Sequence, residues 1–434
     1  MKTIYKFLLG GLAALLLASA VSAQTETSNC NLLVVTDRPD ALYSVGEKVK
    51  FLITVKQDGA PVSSAELAFQ LDKDGMPPVN RGTVRLENGA AAVEGSLSEP
   101  GFLTCRITFT NADQKVVAAL AAAGVEPEKL TPSLPVPDDF DAFWAKQKAL
   151  LRAVPMRPVL TRVASPKTGI ECFDVQIPCH TGAPVSAYLA RPGGAAPRSL
   201  PIILSVQGAG VHSSTLSVAA NLAGSYNALT MDLNANGIPN GQPLAYYKEL
   251  SKTGLKEYPF RGREDREQCY FLGMYLRLVR AIDFLTSQPE WDGKHLVVTG
   301  ISQGGGQSIA AAGLDSRVTL ICASVPALCD HSGKAVGRAN GWPRLVPDVD
   351  GKPDPKILEE ARYFDCVNFA TRIKAEAVFS AGFIDTICAP SSVYTAFNAL
   401  PGPKQITNQP LVGHSRSPQS EAAEAAAITR HLKP

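Results

Sequence analysis

The chain has 434 residues, with 42 Lys plus Arg against 40 Asp plus Glu and a net charge of +2. A balance this even gives no basic face for a phosphate backbone, which argues against nucleic acid or another polyanion as a partner.

Residues 1–23 read as a secretory signal. Lys2 and Lys6 precede the apolar run 7–18, and Val21-Ser-Ala23 supplies the small-residue cleavage site. The run is too short for a membrane span, and none is expected elsewhere. The expectation is export to the periplasm or the cell exterior. Nine cysteines are an odd number for an oxidising compartment, so at least one is unpaired or pairs between chains. Cys30 and Cys105 are candidates to bridge the N-terminal region, Cys322 and Cys329 flank one strand end, and the pairing stays open.

Residues 24–122 are β-rich. Apolar positions alternate over 49–55, 65–71 and 103–109. Gln57-Asp-Gly59, Lys73-Asp-Gly75 and Glu87-Asn-Gly89 punctuate them as turns. The pattern predicts a small immunoglobulin-like β-sandwich domain, acting as a carbohydrate binder, a brace or a spacer. Residues 123–137, rich in proline, read as a linker. From 138 to 434 strand and helix patterns alternate: helix 138–153, strands 202–206 and 228–233, helix 270–286, strand 295–299, helix 305–314 and strand 318–325. Two late strands and a helix over 418–432 follow. This βαβ order predicts an α/β domain with a doubly wound, mostly parallel sheet.

Within it lies Gly300-Ile-Ser-Gln-Gly304. A five-residue glycine–serine pattern recurs by chance, but here an apolar strand precedes it and an alanine-rich helix follows. That is the context of a nucleophile elbow, in which a sharp turn lifts a serine hydroxyl above the sheet edge. A serine needs a base to take its proton and an acid to orient the base. In α/β-hydrolases the order is Ser, acid, His. His331 comes too early and His431 lies in the last helix, which leaves His414, just past an extended stretch. Asp385 follows the strand read at 375–382. Asp365 competes, but its segment reads as a helix cap or loop brace.

The chain from about residue 135 onward resembles the acetyl xylan esterase / cephalosporin-C deacetylase family, carbohydrate esterase family 7, of the α/β-hydrolase fold. The resemblance rests on Pro137-Asp-Asp-Phe-Asp-Ala-Phe-Trp144, Val185-Ser-Ala-Tyr-Leu-Ala-Arg-Pro192, Arg261-Gly262 and Gly300-Ile-Ser-Gln-Gly-Gly-Gly306. Tyr363-Phe-Asp365, Asn368-Phe-Ala370 and Asp385 with Cys388-Ala-Pro-Ser391 complete it. It implies Ser302 as nucleophile, His414 as base and Asp385 as orienting acid, the same three reached from order and spacing. It also implies a homo-oligomer, an assembly that the added N-terminal domain could block, so the oligomeric state stays open. Three departures mark a divergent member: Gln207-Gly-Ala209 for His-Gly-Tyr, Arg261-Gly-Arg263 for Arg-Gly-Gln, and Gly413-His-Ser415 for Gly-His-Glu.

The expected chemistry is hydrolysis of acetyl esters on carbohydrate of the xylan type through an acyl-enzyme. The oxyanion is assigned to backbone N–H groups of Gln303 and of Gly208 or Ala209, on the loop after the strand 200–206. Tyr247 and Trp342, with Tyr246, are candidates for stacking on sugar. Arg261 is a further substrate-side candidate, although an ion-pair role suits it better. Scattered histidines and unpaired cysteine spacing imply no metal and no other cofactor. Two rivals share the elbow: a prolyl-oligopeptidase-like or dienelactone-type hydrolase, and a sugar-binding protein that has lost its activity.

Overall fold

The computed structural model describes residues 24–27 and 29–433. The signal reading of residues 1–23 therefore lies outside the described residues. Among the described residues no helix is long and apolar enough to cross a membrane.

The C-terminal region is built on a nine-stranded sheet. In sheet order the strands are Val159–Val163, Ile170–Ile177, Val185–Pro192, Leu229–Leu233, Leu200–Val206, Trp291–Ile301, Leu320–Ser324, Glu376–Gly382 and Lys404–Gln409. The first three pairings are antiparallel and the other five parallel, so the sheet is mixed. The parallel strands are buried on both faces by flanking helices, which is why they read as unbroken apolar runs such as Leu229–Leu233 and Leu320–Ser324. This is an α/β-hydrolase fold.

Chain order reverses beside Leu200–Val206. The next strand, Leu229–Leu233, pairs on one side of it, and Trp291–Ile301 pairs on the other. Sites in open α/β sheets form at such a switch point, outside the carboxyl ends of the strands. Here those ends are Val206 and Gly300, which stand opposite each other in register.

The N-terminal strands form a second sheet that runs from Gln24–Thr27 to Val116–Val125. Its strand Gly101–Thr110 is buried on one face, with Phe102 buried on the other, and its strand Val116–Val125 is buried on both faces over most of its length. Leu103, Cys105, Ile107, Ala119, Ala121 and Ala123 face the sheet's own core. Phe102, Leu120 and Ala122 instead join the core of the catalytic region. The alanines of the second strand leave room for this close docking.

The strand Val116–Val125 runs past the boundary expected at residue 122, with Gly124 and Val125 paired to Leu42 and Tyr43. The stretch read as linker is docked as well. Leu130 is buried, and Asn398 Nδ2 donates to the carbonyls of Pro127 and Leu130 at 3.0 and 2.8 Å. Neither anchor is local in sequence: Leu42 and Tyr43 lie near the start of the N-terminal sheet, and Asn398 lies far along the catalytic region. All nine cysteines are buried and free, Cys30 and Cys105 included, so no disulfide bridges the N-terminal sheet.

Candidate active site

Ser302 stands between the strand Trp291–Ile301 and the helix Gln303–Leu314. Its backbone is at φ 59° and ψ −124°, a strained conformation for a residue with a side chain. Two glycines permit the turn. A Cβ on Gly300 would lie 2.4 Å from the carbonyl carbon of Gly304, and one on Gly304 would lie 2.3 Å from the carbonyl oxygen of Val206. The Ser302 N–H donates to the carbonyl of Ser324 at 3.0 Å, pinning the elbow to the next strand.

The three residues picked from sequence meet. His414 Nε2 lies 2.8 Å from Ser302 Oγ, and its Nδ1 lies 2.7 Å from Asp385 Oδ2. The other carboxylate oxygen of Asp385 accepts from the N–H groups of Ile387 and Cys388 at 2.8 and 2.9 Å. Asp385 is fully buried, whereas the His414 side chain keeps 24% of its surface exposed. The acid is therefore fixed by backbone donors, and the imidazole remains open to the solvent side. Arg416 holds the loop that carries His414, with Nε donating to Ser324 Oγ at 3.0 Å and Nη2 lying 3.2 Å from Glu424. Asp365 is elsewhere. It caps the helix Cys366–Ala370 through Val367 and accepts from the N–H groups of Asp330 and His331.

The loop after Leu200–Val206 is clamped through its carbonyls. Gln207 O accepts from Gln307 Nε2 at 2.9 Å, Gly208 O from Gln303 Nε2 at 3.4 Å, and Gly210 O from Asn236 Nδ2 at 2.7 Å. Three side-chain amides thus hold the carbonyl side of the loop. The N–H groups of Gly208, Ala209 and Gln303 have no protein acceptor among the described residues. The Gly210 N–H is already taken, donating to the Tyr258 hydroxyl at 3.3 Å. That hydroxyl in turn donates to Gln303 Oε1 at 2.7 Å. Tyr258 therefore ties the loop after Leu200–Val206 to the start of the helix Gln303–Leu314. Burial pushes its phenol pKa well above the ordinary tyrosine range, so it stays a hydroxyl donor. Sequence gave no signal for it, since it sits in a 3-10 turn, Tyr258–Phe260, inside a long loop.

Tyr247 is buried, and its hydroxyl donates to Pro239 O at 2.8 Å and accepts from the Gln242 N–H at 3.1 Å. Arg261 donates to Lys256 O at 3.2 Å. Trp342 is half-buried, and its carbonyl accepts from Leu328. None of these three makes a hydrogen bond to Ser302, Asp385 or His414. Among the described residues one group of possible metal ligands stands out, with atoms of Asp385, Cys388 and His414 within 4.8 Å of one another. Two of those residues are already hydrogen-bonded to each other, which makes the group part of the same cluster.

A mixed α/β-hydrolase sheet with a strained serine at its switch point and a histidine within reach of the hydroxyl defines a serine hydrolase. The sequence profile of the acetyl xylan esterase (AXE1) family matches residues 125–432, and the chain belongs to that family, which makes it a carboxylester hydrolase. Acetyl esterase Axe7A of Xylanibacter ruminicola is 30% identical over 405 residues, covering 92% of this chain and 90% of that protein. Among solved structures, the acetyl xylan esterase of Paenibacillus sp. R4 superposes with a TM-score of 0.60 at 29% identity, covering 70% of this chain and 98% of that one. Acetyl xylan esterase 1 of Thermoanaerobacterium sp. JW/SL YS485 shares the fold with a TM-score of 0.60 at 23% identity, covering 71% of this chain and 98% of that one. Family membership supports an acetyl esterase activity.

Proposed function

We propose that this protein removes acetyl groups from acetylated carbohydrate of the xylan type, with Ser302, His414 and Asp385 as its triad. The observation that carries the reading is the unbroken chain Ser302 Oγ to His414 Nε2 to His414 Nδ1 to Asp385 Oδ2, with contacts of 2.8 and 2.7 Å.

In the first step Ser302 Oγ attacks the ester carbonyl, and His414 Nε2 takes the hydroxyl proton. Asp385 holds the imidazole in the tautomer with the proton on Nδ1 and stabilises the imidazolium that forms. The oxyanion is met by the N–H of Gln303 and one from Gly208 or Ala209; each such donor is worth about 2.7–4 kcal/mol in transition-state stabilisation. His414 then protonates the departing sugar hydroxyl, and the C–O bond to the sugar breaks. Water attacks the acetyl-serine with His414 again as base, and acetate leaves.

Export of the mature chain from residue 24 belongs to the same reading, supported by the signal pattern at 1–23. So does the N-terminal sheet as an immunoglobulin-like domain. The homo-oligomer implied by the resemblance has support from that resemblance only.

The test is acetate release by the purified protein from acetylated xylo-oligosaccharides, run beside para-nitrophenyl acetate. Release from both, lost in Ser302→Ala, is expected. Activity on the small ester alone would overturn the carbohydrate assignment, and activity retained in Ser302→Ala would overturn the triad.

A further inference from the structure

Between the N-terminal sheet and the loop of Asp385 lies a cavity of about 210 Å³. Period-two alternation builds its first wall. Leu103, Cys105 and Ile107 turn into the sheet's own core. Phe102, Thr104 and Arg106, on the opposite face of Gly101–Thr110, line the cavity. Asp72 stands across from Thr104 in the neighbouring strand and lines it too. The second wall comes from the catalytic region. Phe383, Thr386 and Pro390 of the acid loop contribute to it, together with Arg344, whose Nη2 lies 3.4 Å from the carbonyl of Thr386. Asp385 itself borders the cavity, which places the space directly against the triad; the ester chemistry uses none of the other wall side chains.

The lining constrains the ligand. A free anion would meet Asp72 and Asp74, and a free cation would meet Arg106 and Arg344. A purely apolar ligand would strand all four. Asp74 lies beneath the wall as a buried charge: its Oδ1 accepts from the Phe102 N–H at 2.8 Å and its Oδ2 lies 3.8 Å from Lys73 Nζ. A neutral polyol suits the polar part of this wall. Its hydroxyls can donate to the Asp72 carboxylate and accept from the Arg106 and Arg344 guanidinium groups. The space is below the roughly 300–1,000 Å³ of drug-sized sites, which leaves room for one sugar ring.

We propose that this cavity is a glycosyl subsite, built jointly by Asp72 and Arg106 of the N-terminal sheet and Arg344 of the catalytic region. It takes an unacetylated sugar unit of the same chain whose ester is cleaved at Ser302. The proposal rests on the reading of the substrate as acetylated carbohydrate. Binding of a remote unit would favour longer substrates over single acetylated sugars.

The test compares kcat and KM of the full protein on an acetylated monosaccharide, an acetylated xylo-oligosaccharide and para-nitrophenyl acetate. The variants are Asp72→Asn, Arg106→Ala and Arg344→Ala, with melting temperatures recorded alongside. The wild type is expected to prefer the oligosaccharide. Each variant should lower the ratio of oligosaccharide to monosaccharide kcat/KM by about tenfold, mostly through KM, as loss of one charge-assisted hydrogen bond does. Unacetylated xylo-oligosaccharide should bind the Ser302→Ala protein and lose that binding when Arg106→Ala is added. A wild type that deacetylates both sugars, with a ratio unmoved in all three variants, would overturn the subsite and leave the substrate reading intact. A wild type that cleaves only para-nitrophenyl acetate would overturn both.

Discussion

The ring of Phe102, from the N-terminal sheet, meets the ring of Phe383 nearly edge-on, with centroids 5.0 Å apart. Phe383 stands at the root of the loop that carries Asp385. The same Phe102 ring lies 5.5 Å from Tyr394, in the helix that follows that loop. The N-terminal sheet is therefore a buttress of the acid loop as well as a neighbour to it.

Phe102→Ala should cost about 3–5 kcal/mol of stability, because it empties a fully buried aromatic site. It should also lower kcat on a small ester by about tenfold or more, since misplacing a catalytic group by a fraction of an ångström is expensive. Phe51→Ala, in the sheet's own core, serves as the comparison. It should lose comparable stability while kcat, measured well below both melting temperatures, stays near wild type. Equal kcat in the two variants would contradict the buttress.

Asp385→Asn should keep the fold, since the amide oxygen can still accept from Ile387 and Cys388. It should lower kcat by about 10⁴-fold, because an amide facing Nδ1 favours the wrong imidazole tautomer. Steady-state kinetics with a melting curve checks both halves of the statement.

Tyr258→Phe removes the hydroxyl that joins Gly210 to Gln303. Leaving a buried partner unsatisfied costs about 1–3 kcal/mol, which predicts a fall of about tenfold to a hundredfold in kcat with KM little changed. The loop would be looser where charge develops in the transition state and unchanged where substrate first binds. A change in KM alone would show that Tyr258 acts on binding instead.

His331 is fully buried, and neither ring nitrogen has a hydrogen-bond partner. Burial lowers its pKa from 6.5 to about 4, with Asp330 opposing the shift. Between these values the unfolded chain binds a proton at this ring and the folded chain does not. Stability from this group is thus present above pH 6.5 and is lost as the pH falls toward 4, by about 3 kcal/mol in all. Denaturant melts at pH 7 and pH 4.5 should show a smaller acid loss in His331→Met than in the wild type.

Much of the candidate site was legible in the sequence because its chemistry is local. The Gly300 to Gly304 turn declares itself, since only glycine tolerates the contacts with Gly304 and Val206. Asp385 and His414 follow from strand order. The long parallel-sheet elements were legible for the same reason, with the helix expected at 270–286 matching Tyr270–Thr286. Contacts set by distant partners were not. The even-numbered face of Val116–Val125 mixes Val116, Ala118, Leu120, Ala122 and Gly124 and carries no motif, yet Leu120 and Ala122 dock on the catalytic core. Tyr258 carries no motif and gains its place only through Gln303 and Gly210.

The most direct test of the central claim is to treat the protein with a fluorophosphonate and map the adduct by peptide mass spectrometry. The account predicts one adduct, on Ser302, formed in step with loss of esterase activity and strongly slowed in His414→Ala. An unlabelled Ser302 in protein that still hydrolyses para-nitrophenyl acetate, or labelling at another serine that tracks the loss of activity, would contradict it.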